Sequence, residues 1–362
     1  MVIFLVAGLV LSSVVIAHGG APTQEPWEAK WQKVLQAARQ EGRVVVYAGP
    51  GDDRRRALTE PFEKAYPGLK VEYLGLNYGD LVSRLASELR AGSVQADVYL
   101  GGTGSMYNLL RPLRAWEPLE QYLVRPEVAD PKNWKDGKHS FTDPERGMYE
   151  YSAIISGGVT INTGKMSEKD VPDHMGLLSS KWKGRLASIS PMFPGSGQGS
   201  FTGFWLNPKL GPEFIRGLHK QGLVFTRDYA QGVDWILHGV HDILLGAPSA
   251  LTSELARQGA PVHYFVPEGY ESASVGGGVV ARIKGGPNPN AATVFINWFL
   301  GREAQERINK VIVQASRRID VTAEHLDASM VPQPGRMYTR IDDPKALSVR
   351  AEMVKFVKSL WR

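Results

Sequence analysis

Three glycine-rich loops hold the residues best suited to chemistry in this chain: Gly101-Gly102-Thr103-Gly104-Ser105, Gly195-Ser196-Gly197-Gln198-Gly199 and Gly246-Ala247-Pro248-Ser249. Each joins glycine to a hydroxyl residue where a helix is expected to begin. Helix starts expose unpaired backbone N–H groups and a partial positive charge, so they attract carboxylates and phosphates. One exposed helix dipole contributes about 0.3–1 kcal/mol, so several must converge to select a ligand. Taken singly, each loop is equally an ordinary capping turn. The chemistry they point to is the binding of an anion. The donors would be Gly102, Thr103, Gly104 and Ser105 in the first loop, Ser196, Gly197 and Gln198 in the second, and Ser249 in the third.

Other motifs fall away on spacing. The first loop lacks the Gly-Lys-Ser/Thr ending of a nucleotide phosphate loop, and the second has the wrong last interval for a dinucleotide fingerprint. A Gly-x-Ser-x-Gly elbow and a His-Glu-x-x-His pair are both missing, so no catalytic residue and no cofactor are assigned. His238 and His241, beside Asp234 and Asp242, have a spacing that could share a metal on one helix face. Gly239 inside that interval favours a turn, and no metal is assigned.

The elements that must position these loops follow from periodicity. Trp27, Trp31, Val34, Leu35 and Ala38 recur at helical spacing up to Gly42. Val44 to Tyr47 is a short apolar strand of the kind buried in a parallel sheet. A helix is expected from about Asp53 to Tyr66, stopped by Pro67-Gly68. A strand over 71–74, a helix over 78–91 and a strand over 97–100 follow. The middle of the chain repeats the pattern. Strands are expected at 159–161, 187–189, 242–245 and 262–265, with helices opening after Gly199 and at Ala250. Val279 to Ile283 is a further strand, and Asn288 or Asn290 is placed to cap the helix carrying Ala291, Val294, Phe295, Trp298 and Phe299. From about Thr322 the chain reads as helix and loop. Strands alternating with helices argue for parallel sheets with crossover helices, whose ligands sit at the carboxyl ends of the strands.

Composition sets the class. The chain has 362 residues, 43% hydrophobic and 22% charged, which suits a globular protein of two domains. Val2 to Ala17 is almost wholly apolar and shorter than the roughly 20 residues a spanning helix needs. We read residues 1–21 as a signal peptide, which implies a periplasmic or secreted protein. The alternative is a single membrane anchor. The chain has no cysteine, so neither a lipoprotein attachment, nor a disulfide, nor a thiolate metal site is expected. The net charge is +5, but basic and acidic residues alternate, and the longest basic run, Arg54-Arg55-Arg56, follows Asp52-Asp53. Without a basic stripe interleaved with aromatics, no nucleic-acid partner is expected.

The order of segments resembles the ferric-ion-binding branch of the periplasmic solute-binding proteins of ABC transporters. The resemblance is carried by Val44 to Gly51, Asp97 to Ser105, Gly158 to Thr163, Lys181-Trp182-Lys183-Gly184-Arg185, Ser274 to Glu303 and Ser316 to Val321. It implies an α/β, two-lobed fold, each lobe a mostly parallel sheet flanked by helices, joined by crossover hinge strands near 156–163 and 275–283. Lobe 1 would comprise 27–155 plus 276–316, and lobe 2 would comprise 156–275 plus 317–362. The resemblance also implies a monomer that closes on a small-molecule ligand, docks on the membrane subunits of an ABC permease and performs no reaction.

The departures from that branch bear on the ligand. Its ferric sites use an adjacent tyrosine pair, a histidine and a carboxylate. Where the pair would stand this chain has Pro248-Ser249-Ala250. It has Pro50-Gly51-Asp52 in place of the histidine loop and Gly101-Gly102-Thr103 in place of the carboxylate. The ligand expected is therefore an organic anion bearing carboxylate or phosphate. Gly51 and Asp52 would line its site by position. Asp228 and Tyr229 would do so because they precede the helix that faces the cleft in the branch. Tyr78, Tyr107 and Tyr151 are further cleft candidates because polar or glycine-rich segments flank them. Asp228 is equally suited to cap a helix. Two alternatives stand beside this reading. One is ferric iron, free or chelated, with Tyr149, Tyr151, Tyr229 or Asp228 as substitute ligands. The other is a periplasmic enzyme on the same frame.

Overall fold

The computed structural model describes residues 26–361, apart from 270, 271, 277 and 334–337, and the backbone alone of Ser105. The expected signal peptide lies outside the described residues. Within them no helix is long and apolar enough to cross a membrane.

The first part of the chain runs α1 (Trp27–Glu41), β1 (Arg43–Ala48), α2 (Asp52–Ala65), β2 (Lys70–Gly75), α3 (Tyr78–Ala91), β3 (Val98–Gly101), α4 (Thr103–Leu110), α5 (Pro126–Ala129) and β4 (Tyr149–Glu150). Then come β5 (Ser152–Ile155), β6 (Val159–Asn162), β7 (Leu186–Ile189), α6 (Ser196–Leu206), α7 (Gly211–Lys220), β8 (Val224–Thr226) and α8 (Tyr229–His238). The chain continues with β9 (Ile243–Leu245), α9 (Ser249–Arg257), β10 (Val262–Phe265), β11 (Ser272–Ser274), β12 (Val279–Arg282), α10 (Pro289–Phe299), α11 (Arg302–Ile312), β13 (Ala315–Ser316), β14 (Thr339–Arg340) and α12 (Pro344–Leu360).

These strands make three sheets. One has the order β2-β1-β3-β12-β4, with β1 parallel to β2 and β3 and β12 antiparallel to its neighbours. The second has the order β10-β6-β9-β7-β8, with β7 parallel to β8 and β9 and β6 antiparallel to its neighbours. The fold is thus the two-lobed arrangement of mostly parallel sheets that the sequence leads one to expect. The third sheet, β13-β5-β11-β14, collects the strands by which the chain passes between the lobes. Its β5 and β11 are antiparallel, Ala273 facing Ile155 and Ser274 facing Ile154.

The cores separate in the same way. Around the first sheet, Val44, Val46, Leu58, Phe62, Val98, Phe295 and Phe299 pack on one face, and Leu81, Leu85, Tyr99, Val279 and Ala281 on the other. Around the second, Ile161, Leu186, Phe201, Phe204, Phe214 and Leu245 form one layer, and Ala187, Ile189, Ile236 and Leu244 the other. Met353 and Val357 tie α12 into that second core.

One capping expectation is corrected. Asn288 does occupy the N-cap of α10, but no side-chain bond of its own caps the helix. Its backbone N–H and its Nδ2 both donate to the buried Asp97 carboxylate, at 2.7 and 2.9 Å. Glu41, at the end of α1, accepts from the N–H groups of Asn290 and Ala291 instead, at 3.1 and 2.7 Å. A carboxylate at a helix start also opposes the dipole favourably.

Candidate functional site

The carboxyl ends of β1, β2 and β3 feed α2, α3 and α4, so three helix starts gather at one edge of the first sheet. Arg54, on the first turn of α2, folds back over Gly49, where a Cβ would strike its guanidinium. Its Nη1 donates to Tyr78 Oη at 2.6 Å, at the start of α3. The Tyr78 ring in turn lies against Gly101, which has no Cβ to displace it. Tyr73 Oη donates to Gly49 O, and Tyr99 Oη donates to Gly102 O at 3.3 Å. Tyr151 is buried with its ring edge-on to Phe299 at 4.7 Å.

The charge at this place is positive. Burial holds the phenols of Tyr73, Tyr99 and Tyr151 above the usual tyrosine range, so they stay protonated and neutral. Arg55 and Arg56 pair with Asp52 and Asp53 at 3.5 and 3.8 Å, whereas Arg54 forms no ion pair among the described residues. Across the Tyr78 ring from it, α4 begins at Thr103 with no side chain among the described residues capping its free N–H groups. Thr103 is buried, and Gly104 and Ser105 complete that first turn.

The second sheet mirrors the first. The carboxyl ends of β7, β8 and β9 feed α6, α8 and α9, which start at Ser196, Tyr229 and Ser249. Gly197 packs against the carbonyl oxygens of Ile189 and Ser190, leaving no room for a Cβ. Gly246 adopts a left-handed φ of 72° against the Gly197 backbone, so two of the expected loops touch. Ser196 Oγ is enclosed and has no hydrogen-bond partner among the described residues. Tyr229 Oη sits beside Gly195, and Ser249 is buried at the start of α9. Arg227 stacks on the exposed Phe193 ring at 3.7 Å near the mouth of this loop pair.

A side chain from the C-terminal helix joins the two groups. Arg350 of α12 lies against Gly104, where a Cβ would collide with its Nη1. Its Nη2 donates to Ile341 O at 2.7 Å, and Ile341 packs near Gly199 of α6. Its Nε is enclosed without a partner among the described residues. Burial pushes the Arg350 guanidinium down to about 10, so it still carries its charge at neutral pH.

Of the residues singled out in the sequence, Gly102, Thr103, Gly104 and Ser105 thus share the edge where Tyr78 and the Tyr151 neighbourhood lie. Ser196, Gly197, Gln198, Tyr229 and Ser249 share the other. Others stand apart. Gly51 and Asp52 are exposed at the tip of α2, and Asp228 is an exposed N-cap accepting from Gln231 N–H at 3.1 Å. Tyr107 lies under Arg111 at 5.1 Å on the side of α4. Tyr149 is in the first core with its hydroxyl on His139 Nδ1 at 2.9 Å. His238 pairs with Asp234 at 2.9 Å and does not meet His241 in a ligand cluster among the described residues. Arg54 and Arg350 were not legible as site residues. Arg54 reads as one member of a basic run, and Arg350 as one charge on a surface helix.

Two cavities lie elsewhere. One of about 360 Å³ is lined by Arg43, Tyr47, Glu72 and Arg84. Its polar groups already satisfy one another, Arg43 on Glu72 at 2.8 Å and Tyr47 on Glu88 at 2.6 Å. The other, of about 190 Å³, adjoins the third sheet beside Glu150, Arg317 and Arg340.

Comparison with known proteins places these features. The family model for bacterial extracellular solute-binding proteins matches residues 47–306. An uncharacterised protein of Haemophilus influenzae is 27% identical over 294 residues, covering 75% of this chain and 77% of its own. Iron-bound HitA from Pseudomonas aeruginosa superposes with a TM-score of 0.62 at 18% identity, over 88% of this chain and 99% of its own. The periplasmic binding protein AfuA from Actinobacillus pleuropneumoniae, solved with fructose-6-phosphate, gives 0.64 at 19%, over 88% and 97%. An ABC-transporter substrate-binding protein from Agrobacterium tumefaciens gives 0.69 at 14%, over 88% and 94%.

Proposed function

We propose that this chain, which belongs to the bacterial extracellular solute-binding protein family, captures a small organic anion between its lobes for an ABC importer. The anion bears a carboxylate or a phosphate. The lobes divide as 27–155 plus 276–316 and 156–275 plus 317–362. The protein works as a monomer outside the cytoplasm and hands its ligand to the membrane subunits of a permease.

One observation carries the choice of anion: the Arg54 guanidinium, without an ion-pair partner among the described residues, is held by Tyr78, whose ring lies against Gly101 and Gly102 at the uncapped start of α4. A cation and a helix N-terminus at one place form a site for negative charge. A hydrogen bond to a charged group contributes about 1.5–3 kcal/mol, more than any single neutral donor. The same guanidinium opposes ferric iron, because a trivalent cation beside it meets like charge at a site whose phenols are held protonated. The family and the fold are those of transport proteins, and no arrangement here favours a reaction.

Closure follows from contacts. A ligand touching both edges makes its full set of contacts only when the lobes are together, and so shifts the population to the closed form.

A thermal-shift screen of residues 26–362 against inorganic phosphate, sugar phosphates, di- and tricarboxylates, and Fe(III) with and without citrate tests the reading. An anion at about 100 times its dissociation constant should add roughly 2.7 kcal/mol of stability. Stabilisation by Fe(III) alone, with a visible phenolate colour, would sink the anion reading. Turnover of a stabilising anion would favour an enzyme instead.

A further inference from the structure

We propose that Arg350 is the lobe 2 counter-charge for the ligand, whose negative group sits at the place where this guanidinium meets the start of α4. The proposal rests on the reading that the cleft takes an anion.

Arg350 belongs to lobe 2 by its helix, because α12 buries Met353 and Val357 in the second core. Its guanidinium nevertheless lies against Gly104, on the first turn of a lobe 1 helix. Two positive ends therefore meet where α12 touches the first turn of α4. Neither is directly paired: Arg350 forms no ion pair among the described residues, and no side-chain cap on α4 is found among them. The Asp342 carboxylate acts on Arg350 electrostatically, but its oxygens are already engaged by other donors. Asp342 Oδ1 accepts from Arg340 at 2.8 Å and Oδ2 from Val275 N–H.

An enclosed guanidinium without a direct ion-pair partner is costly, and proteins keep such a group where something pairs with it. The donors left over define what that something is. Arg350 Nε is enclosed and unpartnered, and its Nη1 points at the α4 start. Ser196 Oγ, at the uncapped start of α6, is also enclosed and unpartnered. A planar fork, a hydroxyl and a helix start suit an oxyanion with several acceptor oxygens. Together with Arg54 the cleft carries two guanidinium charges without carboxylate partners. The charge balance therefore favours a dianion, a phosphate monoester or a dicarboxylate, over a monoanion or a neutral solute.

The role separates from a structural one by opposite effects on the free protein and on binding. In Arg350→Met the unliganded protein should melt at the same temperature as wild type or higher, because an unpaired enclosed charge is gone. Its affinity for inorganic phosphate, fructose 6-phosphate and succinate, by titration calorimetry, should fall roughly 10–100-fold wherever wild type binds. Arg350→Lys, which keeps the charge and loses the fork, should fall between. An unchanged affinity in Arg350→Met, or a lower melting temperature without ligand, overturns the assignment while leaving the anion reading in place. Failure of wild type itself to bind any of the dianions overturns both.

Discussion

Replacing Arg54 by Gln should weaken anion binding at least tenfold in a calorimetric titration, because it removes the one guanidinium that Tyr78 holds at the lobe 1 edge. Replacing its neighbour Arg55 by Gln, already paired with Asp52 on the surface, should leave affinity within experimental error. Equal losses in the two variants would mean that general surface charge, not this position, attracts the ligand. The contrast shows why the site was only partly readable. Glycine and hydroxyl residues at 102–105 and 196–198 announce themselves by type and spacing, and Tyr78 by its polar setting. Nothing in Arg54-Arg55-Arg56 says which of three identical residues folds inward. A second residue-scale effect concerns pH. His174 is fully enclosed, Nε2–H donating to Gly157 O at 2.9 Å with Phe204 at 5.5 Å, and burial depresses its pKa below the ordinary value near 6.5. A base with a depressed folded pKa contributes full stability above its unfolded pKa and loses it as pH falls below that value. Melting temperature should therefore decline from pH 7 to pH 5, and less steeply in His174→Gln; an identical slope in the two proteins would show that His174 does not carry the effect.

At the scale of elements, local periodicity was enough wherever an apolar stripe meets a stop signal. Helix α1 ends at Gly42, whose left-handed φ of 72° lets its N–H close on Ala38 O. Helix α3 falls on its expected residues, 78–91. Strand β14 was missed, because two residues pairing with β11 have no periodicity to read. The start of α10 was half-read for a different reason. Its position was set by Asn288-Pro289, but its capping carboxylate is Glu41, about 250 residues away in sequence. Glu41→Ala should cost about 1–2 kcal/mol in chemical denaturation, the usual value of a helix cap. No change would mean that water replaces the carboxylate at these N–H groups. Gly197 gives a complementary test in the site. A methyl group there meets carbonyl oxygens of β7, so Gly197→Ala should shift α6, destabilise the second lobe by about 1–3 kcal/mol and weaken ligand binding.

On the scale of the molecule, the joint between the lobes is a small sheet held by charge. Glu150 of β4 is buried and accepts from Arg340 of β14 at 2.8 Å, while Arg340 also bonds Asp342 at 2.8 Å. The strand pairs β5–β11 and β5–β13 fix the direction in which the chain leaves each lobe. The alternation of strands and helices told of two lobes and a return crossing, but not of this sheet, whose strands come from four distant parts of the chain. The edges that bear Arg54, the α4 start, Ser196 and Arg350 gather only when those crossings are made. The account therefore depends on an anion drawing the lobes together. Small-angle scattering of the free protein and of the protein with fructose 6-phosphate or succinate measures this most directly. The account predicts a smaller radius of gyration with a bound dianion, reached in Arg54→Gln or Arg350→Met only at roughly tenfold or more higher ligand concentration. Compaction by Fe(III) with no response to any anion would contradict it.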